Sequence, residues 1–158
     1  MANETDGRRA LVRVLKHDLG CHAHAVESGD VTPGIPDIEY CGALLGQGWL
    51  EVKRLPAWPK RPTTLVRLPK GYLKRAQVGF MKRRHRVGGT AGLAIQIQGR
   101  DWFLVGVDTV LELYDRTSEA IAFDQTWLRE QAVRLSGPRG LNADQVFHAL
   151  TLLRQGDC

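Results

Sequence analysis

Two acidic residues and one lysine lie within two short apolar segments, where charged side chains are unusual. Asp37 ends the sequence Gly34-Ile-Pro-Asp37, and Glu51 and Lys53 lie in Trp49-Leu-Glu-Val-Lys53. Burying an unpaired charge costs several kcal/mol or forces a change in protonation. Charged residues at such positions therefore indicate a chemical role.

A β-hairpin would bring these side chains together. If the intervening loop is centred on Leu44, Asp37 lies directly opposite Glu51, and side chains paired in this way have Cβ atoms about 5 Å apart. Lys53 leaves the same face of its strand as Glu51, because side chains alternate along a strand. The hairpin thus predicts one cluster of two carboxylates and an ammonium group.

Such a cluster has the ligand chemistry of a hard divalent cation. Asp37 and Glu51 are oxygen donors suited to Mg²⁺ or Mn²⁺, and the backbone carbonyl of Val52 is a candidate third ligand. A metal held there would lower the pKa of a bound water and neutralise charge on a phosphate. Lys53 would orient or deprotonate that water, or stabilise the reacting phosphorus group.

The charge distribution points to a polyanionic partner. The chain has 158 residues and a net charge of +5, yet residues 52–100 hold 13 of its 22 basic residues and none of its 17 acidic residues. A segment this one-sided repels itself unless an anion neutralises it. The residues expected to contact nucleic acid are Lys70, Lys74, Arg75, Lys82, Arg83, Arg84 and Arg86.

The elements expected to position these residues alternate between helix and strand. Helices are predicted for residues 8–19 and 71–87, and strands for residues 21–27, 35–40, 49–54, 91–98 and 101–107. The apolar face of the second helix is assigned to Leu73, Ala76, Phe80 and Val87.

Two further segments lie outside that pattern. Four of the seven prolines fall within residues 55–69, which predicts a long loop over the site, with Trp58 either anchoring it or stacking on a base. After Val107, helices are predicted for residues 109–114, 126–135 and 143–154, with a short strand at 119–123. We therefore predict a single α/β domain, residues 1–158, with a core (1–107) and a mostly helical extension (108–158).

At this point the sequence resembles a known group, the PD-(D/E)xK nuclease superfamily. The resemblance runs from about Ala25 to Val107 and is closest to the VRR-NUC and phage-type endonuclease branch, near the Holliday junction resolvases. It rests on the glycine before the Pro-Asp pair, the Trp49-Leu50 pair before Glu51, the Glu-x-Lys motif and a glutamine, Gln77, on the following helix. It implies a restriction-endonuclease-like mixed β-sheet flanked by helices.

The resemblance also implies roles for individual residues. Asp37 and Glu51 match the metal ligands of the family, Lys53 its catalytic lysine, and Gln77 a helical glutamine that positions the lysine, the water or a phosphate. Family members often carry one more acidic residue upstream. Glu27 is favoured for this role by its place before the Gly-x-Pro-Asp sequence, and Glu4 on the first helix is the rival.

The predicted function is that of a Mg²⁺- or Mn²⁺-dependent endonuclease that cuts duplex, branched or flapped DNA. The alternatives are a dimeric Holliday junction resolvase, a non-catalytic nucleic-acid-binding module on a nuclease fold, and a nuclease that acts on RNA. No run of residues reaches the ~18 apolar positions that a membrane span needs, and three cysteines do not form a disulfide framework. A cytoplasmic location is expected, which for a phage protein means the host cytoplasm.

Overall fold

A mixed six-stranded sheet forms the centre of the molecule. In the computed structural model, which describes residues 4–27, 34–68, 72–115 and 120–156, these strands lie in the order β1-β2-β3-β5-β6-β9. Their bounds are β1 His22–Ala25, β2 Ile38–Gly42, β3 Gly46–Leu55, β5 Thr90–Ile97, β6 Asp101–Gly106 and β9 Val133–Arg134. Only β3 and β5 pair in parallel, and the other neighbours are antiparallel.

In the segments that the structure describes, five α-helices accompany the sheet. They are α1 Glu4–Arg13, α2 Arg75–Arg86, α3 Val107–Leu113, α4 Gln125–Gln131 and α5 Ala143–Gln155. A π-helical turn, Val14–Asp18, follows α1 directly. None of the helices in the described part of the chain combines the length and the hydropathy needed to cross a lipid bilayer.

The sheet separates two apolar cores. Leu50 and Val52 of β3 face the first core with residues of α1 and α5, whereas Leu55 faces the second core with residues of α2 and α3. Because side chains alternate along a strand, Trp49, Glu51 and Lys53 share the face of Leu55. The site residues of β3 therefore point toward the face that α2 covers.

The predicted α/β architecture is confirmed, but the described residues form three sheets instead of the single sheet that we expected. The segment rich in prolines contains a strand, β4 Val66–Leu68, which pairs with β8 Ala120–Phe123, and β8 also pairs with β7 Tyr114–Asp115. Two short strands, β10 Ser136–Gly137 and β11 Gly140–Leu141, form a third sheet. A three-residue strand escapes sequence analysis because its partner lies far away along the chain.

The buried face of α2 also differs from the predicted one. Val78 and Met81 are its buried residues, while Val87 lies beyond the helix end and is 80% exposed. Leu73 is fully buried, but it precedes the helix. The predicted apolar face is therefore wrong, because it includes Leu73 and Val87, which lie outside the helix, and omits Val78 and Met81.

Candidate active site

The β2–β3 hairpin places Asp37 and Glu51 side by side. Ile38 pairs with Leu50 in the antiparallel register, so Asp37, one residue earlier, lies opposite Glu51, one residue later. This is the register predicted for a hairpin centred on Leu44. Asp37 thus lies just before β2 and Glu51 within β3, at the point where pairing between the two strands ends.

Hydrogen bonds fix the carboxylate of Asp37. Its Oδ2 accepts a bond from the Val52 backbone N–H at 2.9 Å, and its Oδ1 accepts one from the guanidinium of Arg8 at 3.3 Å. In an antiparallel ladder the N–H and C=O of one residue point to the same side of the strand. The carbonyl of Val52 therefore points toward the side of Asp37, as a third metal ligand would require.

Glu51 is fully buried and lies between Lys53 and Gln77. Its Oε1 lies 2.6 Å from the Nζ of Lys53 and accepts a hydrogen bond from the Nε2 of Gln77 at 2.5 Å. Its Oε2 has no hydrogen-bond partner among the described residues. A buried oxygen of this kind is costly unless it is protonated or binds a ligand.

Burial raises the pKa of Glu51 to about 8, with the charge of Asp37 adding to this effect and the ammonium group of Lys53 opposing it. Two neighbouring carboxylates resist joint ionisation unless a cation lies between them. The site therefore has the electrostatics of a cation site, because a bound cation would favour the ionised form of Glu51.

Lys53 lies between two carboxylates. Its Nζ is 2.6 Å from Glu51 and 3.6 Å from the Oε1 of Glu4, and it lies 5.6 Å from the centre of the Tyr72 ring. Burial alone would lower the pKa of Lys53, but the adjacent Glu51 outweighs burial and the pKa is raised.

Gln77 links α2 to the site through both ends of its amide. Its Oε1 accepts a hydrogen bond from the Lys74 N–H at 2.9 Å, which caps the first turn of α2, and its Nε2 donates to Glu51. The cap satisfies one of the backbone donors that every helix start leaves without a partner. Gln77 therefore orients Glu51 and fixes the start of the helix at once.

The two candidates for the upstream acid occupy different places. Glu4, at the start of α1, contacts Lys53, whereas Glu27 is exposed and lies beyond the end of β1. The hydrogen bonds and ion pairs of Asp37, Glu51 and Lys53 given above do not involve Glu27.

Arg8 and Tyr72 are not among the residues that the sequence predicts for this site. Arg8 follows Glu4 by one helical turn, so both leave the same face of α1. Tyr72 donates a hydrogen bond to the Arg54 carbonyl and lines, with Glu4, Arg54 and Pro56, a cavity of about 210 Å³ beside Lys53. The spacing of Glu4 and Arg8 is the available signal, but it does not reveal which way the helix faces.

The residues present fit a hard cation in donor type. Within the described segments no group of three or more His, Cys, Asp or Glu side chains could hold a metal. A cation here would depend on Asp37, Glu51 and the Val52 carbonyl, with water or substrate oxygens in the other positions, an arrangement that Mg²⁺ commonly accepts. The free Oε2 of Glu51 is the observation that favours such a ligand.

The proline-rich segment is held in place by Trp58. Its indole N–H donates to Asp101 at 2.8 Å, its ring lies 5.8 Å from that of Phe103, and Arg129 lies over it at 4.9 Å. Trp58 thus anchors the segment, and the alternative in which it stacks on a base is not supported.

The predicted nucleic-acid contacts divide into separate groups. Lys70 lies outside the described residues. Lys74 precedes α2, and the other five residues lie on it. Arg84 lies over the rings of Trp49 and Phe80, at 5.4 Å and 5.3 Å.

Comparison with known proteins gives a match in structure alone. No protein-family model and no curated protein sequence matches the chain. A solved structure does match: Hjc from Archaeoglobus fulgidus, a Holliday junction resolvase from an archaeal hyperthermophile. The similarity covers 90% of this chain and 98% of that one, with a TM-score of 0.56 and 19% sequence identity. At this identity the likeness establishes a common fold.

Proposed function

We propose that this protein is a divalent-metal-dependent endonuclease that hydrolyses DNA phosphodiester bonds. The observation that carries the proposal is the arrangement of Asp37, Glu51 and Lys53 on one hairpin, with Lys53 2.6 Å from Glu51 and Gln77 on the same carboxylate. The resemblance to the PD-(D/E)xK nucleases and the shared fold with a Holliday junction resolvase support it.

The residues of the site have distinct roles in this reaction. Asp37, Glu51 and the Val52 carbonyl would hold Mg²⁺ or Mn²⁺, which supplies an activated water and neutralises phosphate charge. Lys53, 2.6 Å from Glu51, would orient or deprotonate that water, or stabilise the reacting phosphorus group. Gln77 positions Glu51, and Glu4, or Glu27 as the sequence favours, supplies the further acid.

Substitution at the hairpin tests the proposal directly. We expect Asp37→Asn or Lys53→Ala to lower the cleavage rate at least about 100-fold with Mg²⁺, because each removes a group that stabilises the transition state. Labelled duplex, single-stranded, flap and four-way-junction DNA are incubated with each variant, and circular dichroism checks the fold. EDTA should stop cleavage by the unmodified protein.

Matched controls are available on the exposed surface. Asp144→Asn in the first turn of α5 and Lys16→Ala in the π-helical turn make the same chemical changes away from the site. Full activity of Asp37→Asn, or cleavage that persists in EDTA, would refute the proposed mechanism. DNA binding without cleavage under any condition would identify a binding module instead, and cleavage of RNA alone would change the substrate class.

A narrower candidate is a Holliday junction resolvase, which the shared fold with the Archaeoglobus protein favours. Resolution of a four-way junction needs two cuts, so two sites must act together in a symmetric dimer. We expect a stable dimer in light scattering and paired symmetric nicks in opposite strands of the junction. A monomer that cuts linear duplex equally well would favour the general endonuclease.

A further inference from the structure

The basic residues of α2 lie on two sides of the helix. Gln77 and Arg84 are seven residues apart, so they lie on one side, close to the β3 residues Trp49 and Glu51. Arg75, Lys82 and Arg83 lie on roughly the opposite side. The catalytic side and the second basic side are thus separated by the width of a helix, about 10 Å with its side chains.

The second basic side is concave. A cavity of about 400 Å³ opens there between α2 and α3. The residues that line it are Arg75, Val78, Gly79, Lys82, Arg83, Leu111 and Tyr114. Among the described residues no carboxylate lines it, and their ion pairs leave all three cationic side chains unused.

Gly79 forms part of the cavity wall beside Arg83. A Cβ at Gly79 would lie only 3.3 Å from the Nη1 of Arg83, which shows how closely the guanidinium lies along the helix. The apolar floor formed by Val78 and Leu111 lowers the local dielectric, which strengthens the repulsion between the cations and their attraction for an anion. Arginine and lysine side chains bind phosphate oxygens through charge-assisted hydrogen bonds.

We propose that this cavity is a second phosphodiester-binding subsite, which takes a segment of nucleic-acid backbone other than the segment being cut. The proposal rests on the proposed nuclease function and extends it to the shape of the substrate. Because α2 lies between the two sides, the phosphate at Glu51 and the phosphate at Lys82 cannot be neighbours on a straight strand. The second phosphate belongs to a distant part of the same strand, to its complement or to another arm.

Binding measurements without cleavage test the subsite. The Asp37→Asn protein, which isolates binding from turnover, is compared with the same protein carrying Lys82→Ala and Arg83→Ala. Fluorescence anisotropy follows the binding of a short single strand, a linear duplex and a four-way junction over a range of salt concentrations. The matched control carries Lys16→Ala and Arg139→Ala, which remove two exposed cations, one in the π-helical turn and one between β10 and β11, that do not line the cavity.

We expect the double variant to bind about tenfold more weakly, with the slope of log K against log[salt] reduced by about one for each phosphate that the cavity no longer binds. If the double variant binds the single strand more weakly, the second phosphate belongs to the same strand. If it binds the duplex but not the single strand more weakly, the second phosphate belongs to the complement. If it binds only the junction more weakly, the second phosphate belongs to another arm. Binding equal to that of Asp37→Asn on all three DNAs would overturn the subsite. An equal effect of the Lys16→Ala and Arg139→Ala control would overturn it as well, by showing a general charge effect.

Failure of the subsite and failure of the nuclease proposal are distinguishable. If the cavity variants bind weakly but the unmodified protein cuts nothing with Mg²⁺ or Mn²⁺, the nuclease proposal fails and the subsite stands. If the unmodified protein cuts DNA and the cavity variants bind normally, only the subsite fails. Thermal melting of each variant establishes that weaker binding does not come from unfolding.

Discussion

Glu51 is an acidic residue at a buried position, where it costs stability unless it has a chemical role. It is fully buried, it accepts hydrogen bonds from Lys53 and Gln77 through one oxygen, and its other oxygen has no partner among the described residues. A protein selected for stability alone would gain by replacing such a group with an apolar one. Its presence is explained by a proton in the metal-free site, which the neighbouring Asp37 favours and which a bound cation would replace.

The raised pKa of Glu51 predicts how the stability of the metal-free protein changes with pH. The folded-state pKa of about 8 exceeds the ordinary value of 4.5, so the folded state holds a proton that the unfolded chain releases. This contribution is fully present below about pH 4.5 and is lost as the pH rises toward 8. It amounts to at most about 5 kcal/mol. The pKa of Lys53 is also raised, so its contribution is lost only above its ordinary value of 10.5.

We therefore expect Glu51→Gln to flatten the pH dependence of the melting temperature between pH 5 and pH 8, measured in EDTA. The unmodified protein should lose several degrees relative to this variant over that range, about 2 to 4 °C per kcal/mol. Glu112→Gln, on the exposed surface of α3, is the control. A pH dependence unchanged by Glu51→Gln would show that Glu51 is ionised throughout.

Two carboxylates compete for the role of the upstream acid, and their positions predict different effects. Glu4 lies 3.6 Å from Lys53, whereas Glu27 is exposed beyond β1. We expect Glu4→Gln to lower the cleavage rate about tenfold or more, and Glu27→Gln to change it little. Rates measured at saturating Mg²⁺ on one substrate decide the matter. A larger loss of rate for Glu27→Gln than for Glu4→Gln would assign the role of the upstream acid to Glu27.

The sequence was sufficient to predict the hairpin part of the site but not the helical part. The Asp37–Glu51 register follows from the alternation of side chains and the midpoint of one short loop, which are local properties. Arg8 and Tyr72 reach the site only because α1 and the segment before α2 pack beside β3. That packing depends on contacts between distant segments, so the sequence pattern of either segment alone does not predict it.

At the scale of the element, the close approach of Gly34 to α2 determines where Gln77 lies. Gly34 has a φ of +94°, and a Cβ there would lie 2.6 Å from the backbone of Ala76, the residue before Gln77. The glycine that precedes the Pro-Asp pair thus lets the chain approach the first turn of α2. The motif residue is explained by this close approach as well as by its backbone angle.

We expect Gly34→Ala to cost about 2 to 4 kcal/mol, part from the positive φ and part from the clash with α2. Cleavage should fall too, because α2 must move and take Gln77 with it. Gly20→Ala is a close control, since Gly20 has a φ of +64° with nothing within 4 Å of the added Cβ. Chemical denaturation measures both variants, and equal losses of stability would show that no clash occurs.

At the scale of the whole molecule, the C-terminal segment is part of the core. Val146, Ala149, Leu150 and Leu153 of α5 are buried in the same apolar cluster as the β3 residue Leu50. The helix therefore supports, from the opposite face of the sheet, the strand that carries Glu51 and Lys53. Residues 108–158 thus contribute to the core as well as extending it.

We expect Leu150→Ala to destabilise the protein by about 2 to 5 kcal/mol, the usual cost of truncating a buried leucine. Leu44→Ala, at the exposed tip of the β2–β3 hairpin, should cost less than about 0.5 kcal/mol. Urea denaturation compares the two. A small effect at Leu150 would mean that α5 is dispensable for the sheet.

The order of helices and strands could be predicted from the sequence because most elements carry a clear periodicity. The second sheet could not, since β4 has three residues and pairs with β8, more than 50 positions away. The side of the sheet that each helix covers was equally beyond reach. That choice depends on which apolar face fits which core, a property of the assembled molecule.

The π-helical turn Val14–Asp18 lies between α1 and the segment that leads into β1. A π-turn holds more residues per turn than an α-turn, and one residue of an α-helix corresponds to a rotation of about 100°. Downstream of Arg13, Leu15 and Cys21 are buried in the core, while upstream Glu4 and Arg8 reach Lys53 and Asp37. Deletion of one residue from Val14–Asp18 would give an ordinary α-turn and keep Glu4 and Arg8 close to their partners, whereas deletion of one residue between Arg8 and Val14 would rotate both away by about 100°. A one-residue gap in an alignment of related sequences therefore belongs in this turn.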